Sequence, residues 1–202
     1  MDRRVLLCTG GIGSGKSFII RAFGALGVPS YDCDAAAKDL YDRDLQLLAD
    51  IVRLCGESVL DAEGRLDRAA LAERIFADPA LLGRVEALVH PAVIRDFRRW
   101  ADALPDNPAL VILESAILLE KQLPERVYDS VLAVTAPEDV RLARVMKRSG
   151  MDEAQVRRRM AAQWSDAERA ARADFVIEND GRKPVLPAIL DILERIKEDG
   201  KN

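Results

Sequence analysis

Residues 9–17 read Thr9-Gly10-Gly11-Ile12-Gly13-Ser14-Gly15-Lys16-Ser17. From Gly10 to Ser17 this run matches GxxxxGK[ST] in full. A triphosphate needs many hydrogen-bond donors close together. Glycines let the backbone turn with its N–H groups pointing inward and no side chains in the way. The helix that follows adds its unsatisfied N–H groups and a partial positive charge. The run therefore predicts an ATP-binding set of Gly11, Gly13, Ser14, Gly15, Lys16 and Ser17. Lys16 is expected at the β- and γ-phosphates, and Ser17 as a ligand to Mg²⁺.

The flanks supply the context that this motif requires. Arg4 to Thr9 is a short apolar run ending in glycines, as a buried strand does. Lys16 to Leu26 carries Phe18, Ile19, Ala22, Phe23 and Leu26 at helical spacing, and Gly27 stops it. Val28 to Tyr31 reads as a second strand. This β-loop-α-β unit opens a doubly wound α/β fold.

The chain has 202 residues, 49% of them apolar and 32% charged, with a net charge of -4. That is a globular balance with room for a sizeable core. It argues against a general binder of nucleic acid or of acidic membranes, which need clustered positive charge. Cys8, Cys33 and Cys55 show no metal-ligand spacing and read as reduced thiols of a cytosolic protein. No apolar run reaches the length of a membrane helix, so a cytoplasmic protein is expected. Nothing in the sequence sets an oligomeric state.

Ala35 to Leu104 looks mostly helical, more than a normal crossover needs, and predicts an inserted subdomain. Asp78 and Pro79 mark a helix start. His90 and Pro91 read as a break before a further helix over 92–104. Strands are expected over 109–113, ending at Glu114, over 131–135 and over 175–177. Helices are expected over 138–148 and from Lys183 to about Lys197. Asp152 with Gln155, and Ser165 with Glu168, are spaced as capping boxes.

Ligands of a parallel α/β sheet bind beyond the C-terminal ends of its strands. Asp32 and Asp34 follow the second strand and, two apart, point the same way if extended. A kinase needs a group that orients the acceptor hydroxyl and takes its proton. Asp32 is expected in that role. Asp34 reads equally as a substrate contact and as the N-cap of a helix from Ala35. Glu114 stands at the acidic end of a Walker B-like strand, as a metal or substrate residue or as an ordinary strand-end acid. Arg141, Arg144 and Arg148 share one helix face, with Arg157 to Arg159 in the next helix. Such guanidinium groups can close over ATP and neutralise the transferred phosphoryl. We read Arg144 and Arg148 in that way, and most of Arg157 to Arg159 as a solvated face.

Taken together, these residues resemble the dephospho-CoA kinases. Thr9 to Ser17 is similar to the family's opening signature, and Tyr31-Asp32-Cys33-Asp34-Ala35-Ala36-Ala37-Lys38 to its aspartate-rich segment. Leu66-Asp67-Arg68, Ile75-Phe76 and His90-Pro91 resemble landmarks of the family's inserted CoA-binding helices. Leu118-Leu119-Glu120 resembles a segment after the third strand. Arg144, Arg148 and Gln163 fit the lid region, and Ala173-Asp174 with Asn179 and Gly181 the stretch near the adenine. The resemblance implies a P-loop NTPase fold with a five-stranded parallel sheet flanked by helices. It implies a core of about 1–34 and 109–202, a helical insertion of about 35–108 and a lid of about 141–170. It implies ATP, Mg²⁺ and dephospho-CoA as partners, with no nucleic acid and no membrane. The expected reaction is phosphorylation of the ribose 3′-hydroxyl of dephospho-CoA, the last step of coenzyme A synthesis. Asp32, Lys16 and Arg144 would be catalytic. Phe18, Arg148 and Asn179 would join the ATP-binding set. Asp32, Asp34, Lys38, His90 and Glu114 would hold the acceptor. Phe18 replaces the family's common threonine, Lys38 its arginine and Ile117 its proline, which alters the acceptor pocket. His90 reads either as an acceptor-site residue or as a structural histidine at a helix junction.

Two other readings stand beside this one. One is a P-loop kinase acting on a nucleoside monophosphate or another small metabolite. The other is a nucleotide-dependent switch protein, against which the absence of an NKxD motif counts.

Overall fold

The computed structural model describes residues 3–120 and 127–199. The chain forms two compact units. One comprises the residues up to Tyr31 with those from Pro105 onward, and the other is Asp32–Leu104.

The first unit is built on a five-stranded sheet. Its strands are β1 (Arg4–Thr9), β2 (Ser30–Asp32), β3 (Leu110–Glu114), β4 (Ser130–Thr135) and β5 (Phe175–Glu178), in the order β2-β3-β1-β4-β5. β1 pairs in parallel with both β3 and β4, and β4 with β5. Central parallel strands are covered on both faces and read as continuous apolar runs. Leu6, Leu7 and Cys8 of β1 and Val111, Ile112 and Leu113 of β3 are accordingly all fully buried. The order reverses at β1, between β3 and β4. A sheet of this kind binds its ligands at such a switch point, beyond the strands' C-terminal ends.

Helix α1 (Lys16–Ala25) lays Ile19, Ile20 and Phe23 into the core. Its end is a Schellman turn: Gly27 N–H donates to Gly24 O and Val28 N–H to Phe23 O. Gly27 has φ +83°, which a residue with a side chain resists. The turn returns the chain to the sheet, and β2 begins at Ser30, two residues later than expected.

The second unit holds α2 (Cys33–Arg43), α3 (Leu45–Cys55), α4 (Arg68–Ala77) and α5 (Pro79–Asp102). Asp44, Asp67 and Asp78 cap the last three through their side chains. Two expectations are corrected here. The cap of α2 is Asp32 and not Asp34, because the helix begins at Cys33; Asp34 lies in its first turn. His90 and Pro91 do not break the chain into two helices. α5 runs straight through them, because Leu81, Val85 and Val89 before Pro91 and Ala92, Val93 and Phe97 after it form one buried apolar stripe. That burial offsets the roughly 3 kcal/mol that an interior proline costs a helix.

The first unit also holds α6 (Glu138–Ser149), α7 (Glu153–Ala161), α8 (Asp166–Ala170) and α9 (Leu186–Asp199). Both expected capping boxes are present, Asp152 with Gln155 and Ser165 with Glu168. α9 begins at Leu186 rather than Lys183, because Asp180 Oδ1 accepts from the Arg182 and Lys183 N–H groups and holds them in a turn. Among the described residues, no helix is long and apolar enough to cross a membrane.

Candidate active site

Residues 10–15 leave β1, turn, and enter α1. Ser14 N–H donates to Gly11 O, closing the turn. Gly13 and Gly15 hold φ of +81° and +87°. A side chain on Gly15 would also overlap the Asn179 amide. The glycines thus serve the walls of the loop as well as its interior. Asn179 Nδ2 donates to Ser14 O at 3.0 Å, and the Asn179 side chain is buried. Arg144 Nη1 reaches Asn179 O at 3.0 Å, Ser14 O at 3.3 Å and Gly13 O at 3.4 Å. Arg144 therefore staples the loop to the end of β5. The Ser14 hydroxyl is buried without a hydrogen-bond partner among the described residues.

The N-terminus of α1 differs from most other helix starts in this chain. α2, α3, α4, α5, α7 and α8 are each capped by a side chain, whereas α1 begins at Gly15 with none. Its Lys16 and Ser17 N–H groups and positive dipole end are left for an anion, which is the arrangement that phosphate binding uses. Phe18, expected in the nucleotide set, lies in this first turn. Its N–H is taken by Gly15 O at 2.9 Å and its ring is half exposed.

Lys16 and Glu114 meet at the mouth of this loop. The Lys16 ammonium is ion-paired with Glu114 Oε1, and Ser17 Oγ lies 3.3 Å from the same oxygen. Glu114 closes β3 opposite Cys8 of β1, so strand register brings it to the loop. Burial pushes the Cys8 thiol up to about 12; the nearby Lys16 charge opposes that shift and Glu114 adds to it. Ser17 and Glu114 together present hydroxyl and carboxylate oxygens, a set that suits Mg²⁺ completed by water and phosphate.

The remaining expected residues are placed as follows. Arg148 lies exposed in the last turn of α6 and makes no hydrogen bond or ion pair with the loop among the described residues. In the second unit, Asp32 Oδ1 accepts from Asp34 N–H at 2.9 Å and Ala35 N–H at 3.0 Å. Asp32, Asp34 and Lys38 are all exposed, and His90 is half-buried within α5. The Lys38 carbonyl accepts from Arg68.

Sequence reasoning passed over a second set of contacts. Arg141, grouped with the phosphate-facing arginines, is buried and donates through Nε to Ile12 O at 3.0 Å. Gln163 Oε1 accepts the Ile12 N–H at 2.9 Å across a separation of 151 residues. Arg169 is fully buried and pairs with Glu120 at 2.5 Å. The sequence points to Gln163 only through the family resemblance, and to Arg141 only through the helix face it shares with Arg144 and Arg148.

Comparison with known proteins gives the family. A family model described as dephospho-CoA kinase matches residues 4–184. A curated dephospho-CoA kinase of Anaeromyxobacter dehalogenans is 41% identical over 191 residues, which cover 94% of this chain and 90% of that protein. A solved Thermus thermophilus structure is 35% identical, with a TM-score of 0.81 and 98% of both chains covered. A Campylobacter jejuni dephospho-CoA kinase structure shares the fold, with a TM-score of 0.65 at 23% identity over 99% of this chain and 98% of its own. The protein belongs to the dephospho-CoA kinase family.

Proposed function

We propose that this protein transfers the γ-phosphoryl group of ATP to the ribose 3′-hydroxyl of dephospho-CoA, giving coenzyme A and ADP. The observation that carries the reading is the uncapped α1 start behind Lys16, Ser17 and Glu114, in a chain whose family membership is established. The bond from the β–γ bridging oxygen to the γ-phosphorus breaks, and a bond from the 3′-oxygen to that phosphorus forms. The hydroxyl proton passes to Asp32. Backbone N–H groups of Gly13 and of Gly15 to Ser17 hold the phosphates, and Lys16 exchanges its carboxylate partner for them. Arg144 and Arg148 neutralise charge on the transferring group, Phe18 sits beside the phosphates, and Asn179 lies near the adenine.

Ser17 and Glu114 would hold Mg²⁺, which when bound neutralises phosphate charge. Asp34, Lys38 and His90 belong to the acceptor side, within a helical insertion of about 35–108. The segment of about 141–170 is the lid region of this reading, with Arg141 and Gln163 at its fixed base. Cys8, Cys33 and Cys55 are free and buried, in keeping with a reducing compartment, and the reading places the protein in the cytoplasm.

An acceptor panel tests the proposal. ADP release is measured with ATP and either dephospho-CoA or each nucleoside monophosphate. The expected outcome is strong stimulation by dephospho-CoA alone. Preference for a monophosphate would overturn it.

A further inference from the structure

Both backbone polar groups of Ile12 are held by side chains from outside the phosphate loop. Its N–H donates to Gln163 Oε1 at 2.9 Å, and its C=O accepts from Arg141 Nε at 3.0 Å. Arg141 lies across Gly11 so closely that a side chain there would overlap its guanidinium. Asp166, three residues after Gln163, holds Arg141 in turn. Its Oδ1 lies 3.0 Å from Arg141 Nη1, and its Oδ2 accepts the Ala136 N–H at 3.2 Å, just beyond β4.

The segment that carries Gln163 is itself fixed. Ser165 and Glu168 close a capping box two residues on. The fully buried Arg169 donates to Trp164 O and pairs with Glu120 at 2.5 Å. A buried charge held on two sides cannot shift without losing a partner, so the turn from Gln163 to Asp166 is anchored. Gln163 is thereby set at the loop by contacts that do not involve nucleotide at all.

We propose that Gln163 is a positioning residue for phosphoryl transfer: with Arg141 it pins the Ile12 peptide, and so fixes the arch of the phosphate loop against which the transferred group is aligned. The proposal rests on the kinase reading above. Many donors hold the triphosphate, so loss of one outer brace leaves ATP bound. Alignment is more demanding, since a shift of about 1 Å at the reacting atoms can cost on the order of 100-fold in rate.

The test uses the full chain with Gln163→Met, which keeps the length but removes the acceptor oxygen, and Gln163→Glu, which keeps it. Two quantities are read: kcat and KM for each substrate, and hydrogen exchange at the Ile12 amide by NMR without substrates. Gln163→Met is expected to lower kcat about tenfold or more while KM for ATP stays within about threefold. Its Ile12 amide should exchange at least about tenfold faster, at an unchanged thermal midpoint. Gln163→Glu should keep that amide protected and return kcat to within about threefold of the parent, with a raised KM for ATP from its added negative charge. Parental kcat in Gln163→Met, or unchanged Ile12 exchange, would overturn the proposal. If the parent protein forms no coenzyme A, the acceptor reading fails, and the Ile12 exchange comparison, which needs no acceptor, still decides the brace.

Discussion

Lys16 and Glu114 form an ion pair at the mouth of the phosphate loop, with both side chains largely shielded from solvent. Under the proposed function, the carboxylate competes with a triphosphate for the same ammonium. It also stands beside Ser17, where under the proposed function it would serve a bound cation. These two roles carry opposite signs. Glu114→Gln should tighten metal-free ATP binding about tenfold, the worth of one charge-assisted contact. The same substitution should lower kcat with Mg²⁺ by about tenfold or more. Calorimetry with and without Mg²⁺, together with turnover, checks both.

Asp32 caps α2 through Oδ1, which gives a way to separate its structural part from its proposed chemical part. Asparagine is an equally good cap. Asp32→Asn should keep the thermal midpoint and lose about 10²–10⁴-fold in kcat, the usual worth of a general base. Asp32→Ala should lose the same activity and about 1 kcal/mol of stability as well. Near-parental turnover in a folded Asp32→Asn protein refutes the assignment.

The Arg169–Glu120 pair is a stability device that holds the turn bearing Gln163. Arg169→Met leaves the shielded Glu120 carboxylate unpaired and should cost about 3 kcal/mol. Replacing both partners with apolar residues should recover most of that loss, since a buried pair is worth little against apolar packing. Urea denaturation of the single and double variants measures it.

Cys8 lies wholly inside the sheet, and burial raises its thiol from 9.0 to about 12. The folded state thus keeps a proton that the unfolded chain releases. The sign follows: this contribution is complete below pH 9.0 and is lost as pH rises toward about 12. The Cys8 share of that decline is up to about 1.4 kcal/mol per pH unit. Stability curves of the parent and of Cys8→Ala should run parallel near pH 8 and diverge in slope by up to that amount toward pH 11, with the variant falling less steeply.

What was legible in the sequence was what local chemistry decides. The phosphate loop, the Gly27 stop and the Ser165–Glu168 and Asp152–Gln155 capping boxes each depend on residues within a few positions of one another. Pro91 misled because its local effect is to break a helix, while the stripe from Leu81 to Phe97 is a tertiary fact that overrides it. Asp34 was weighed as a cap because the start of α2 falls one or two residues from where composition suggests. Arg141 looked solvated or phosphate-facing for want of any local sign that Ile12 O would meet it. Gln163 could not be read from spacing, as its partner lies 151 residues away.

The account depends on one transfer above all others. Purified protein is mixed with Mg²⁺-ATP and dephospho-CoA, and the acceptor is followed by mass. The account predicts that dephospho-CoA gains one phosphoryl group, on the ribose 3′-hydroxyl, in step with ADP formation. ATP consumed with dephospho-CoA recovered unchanged would contradict it.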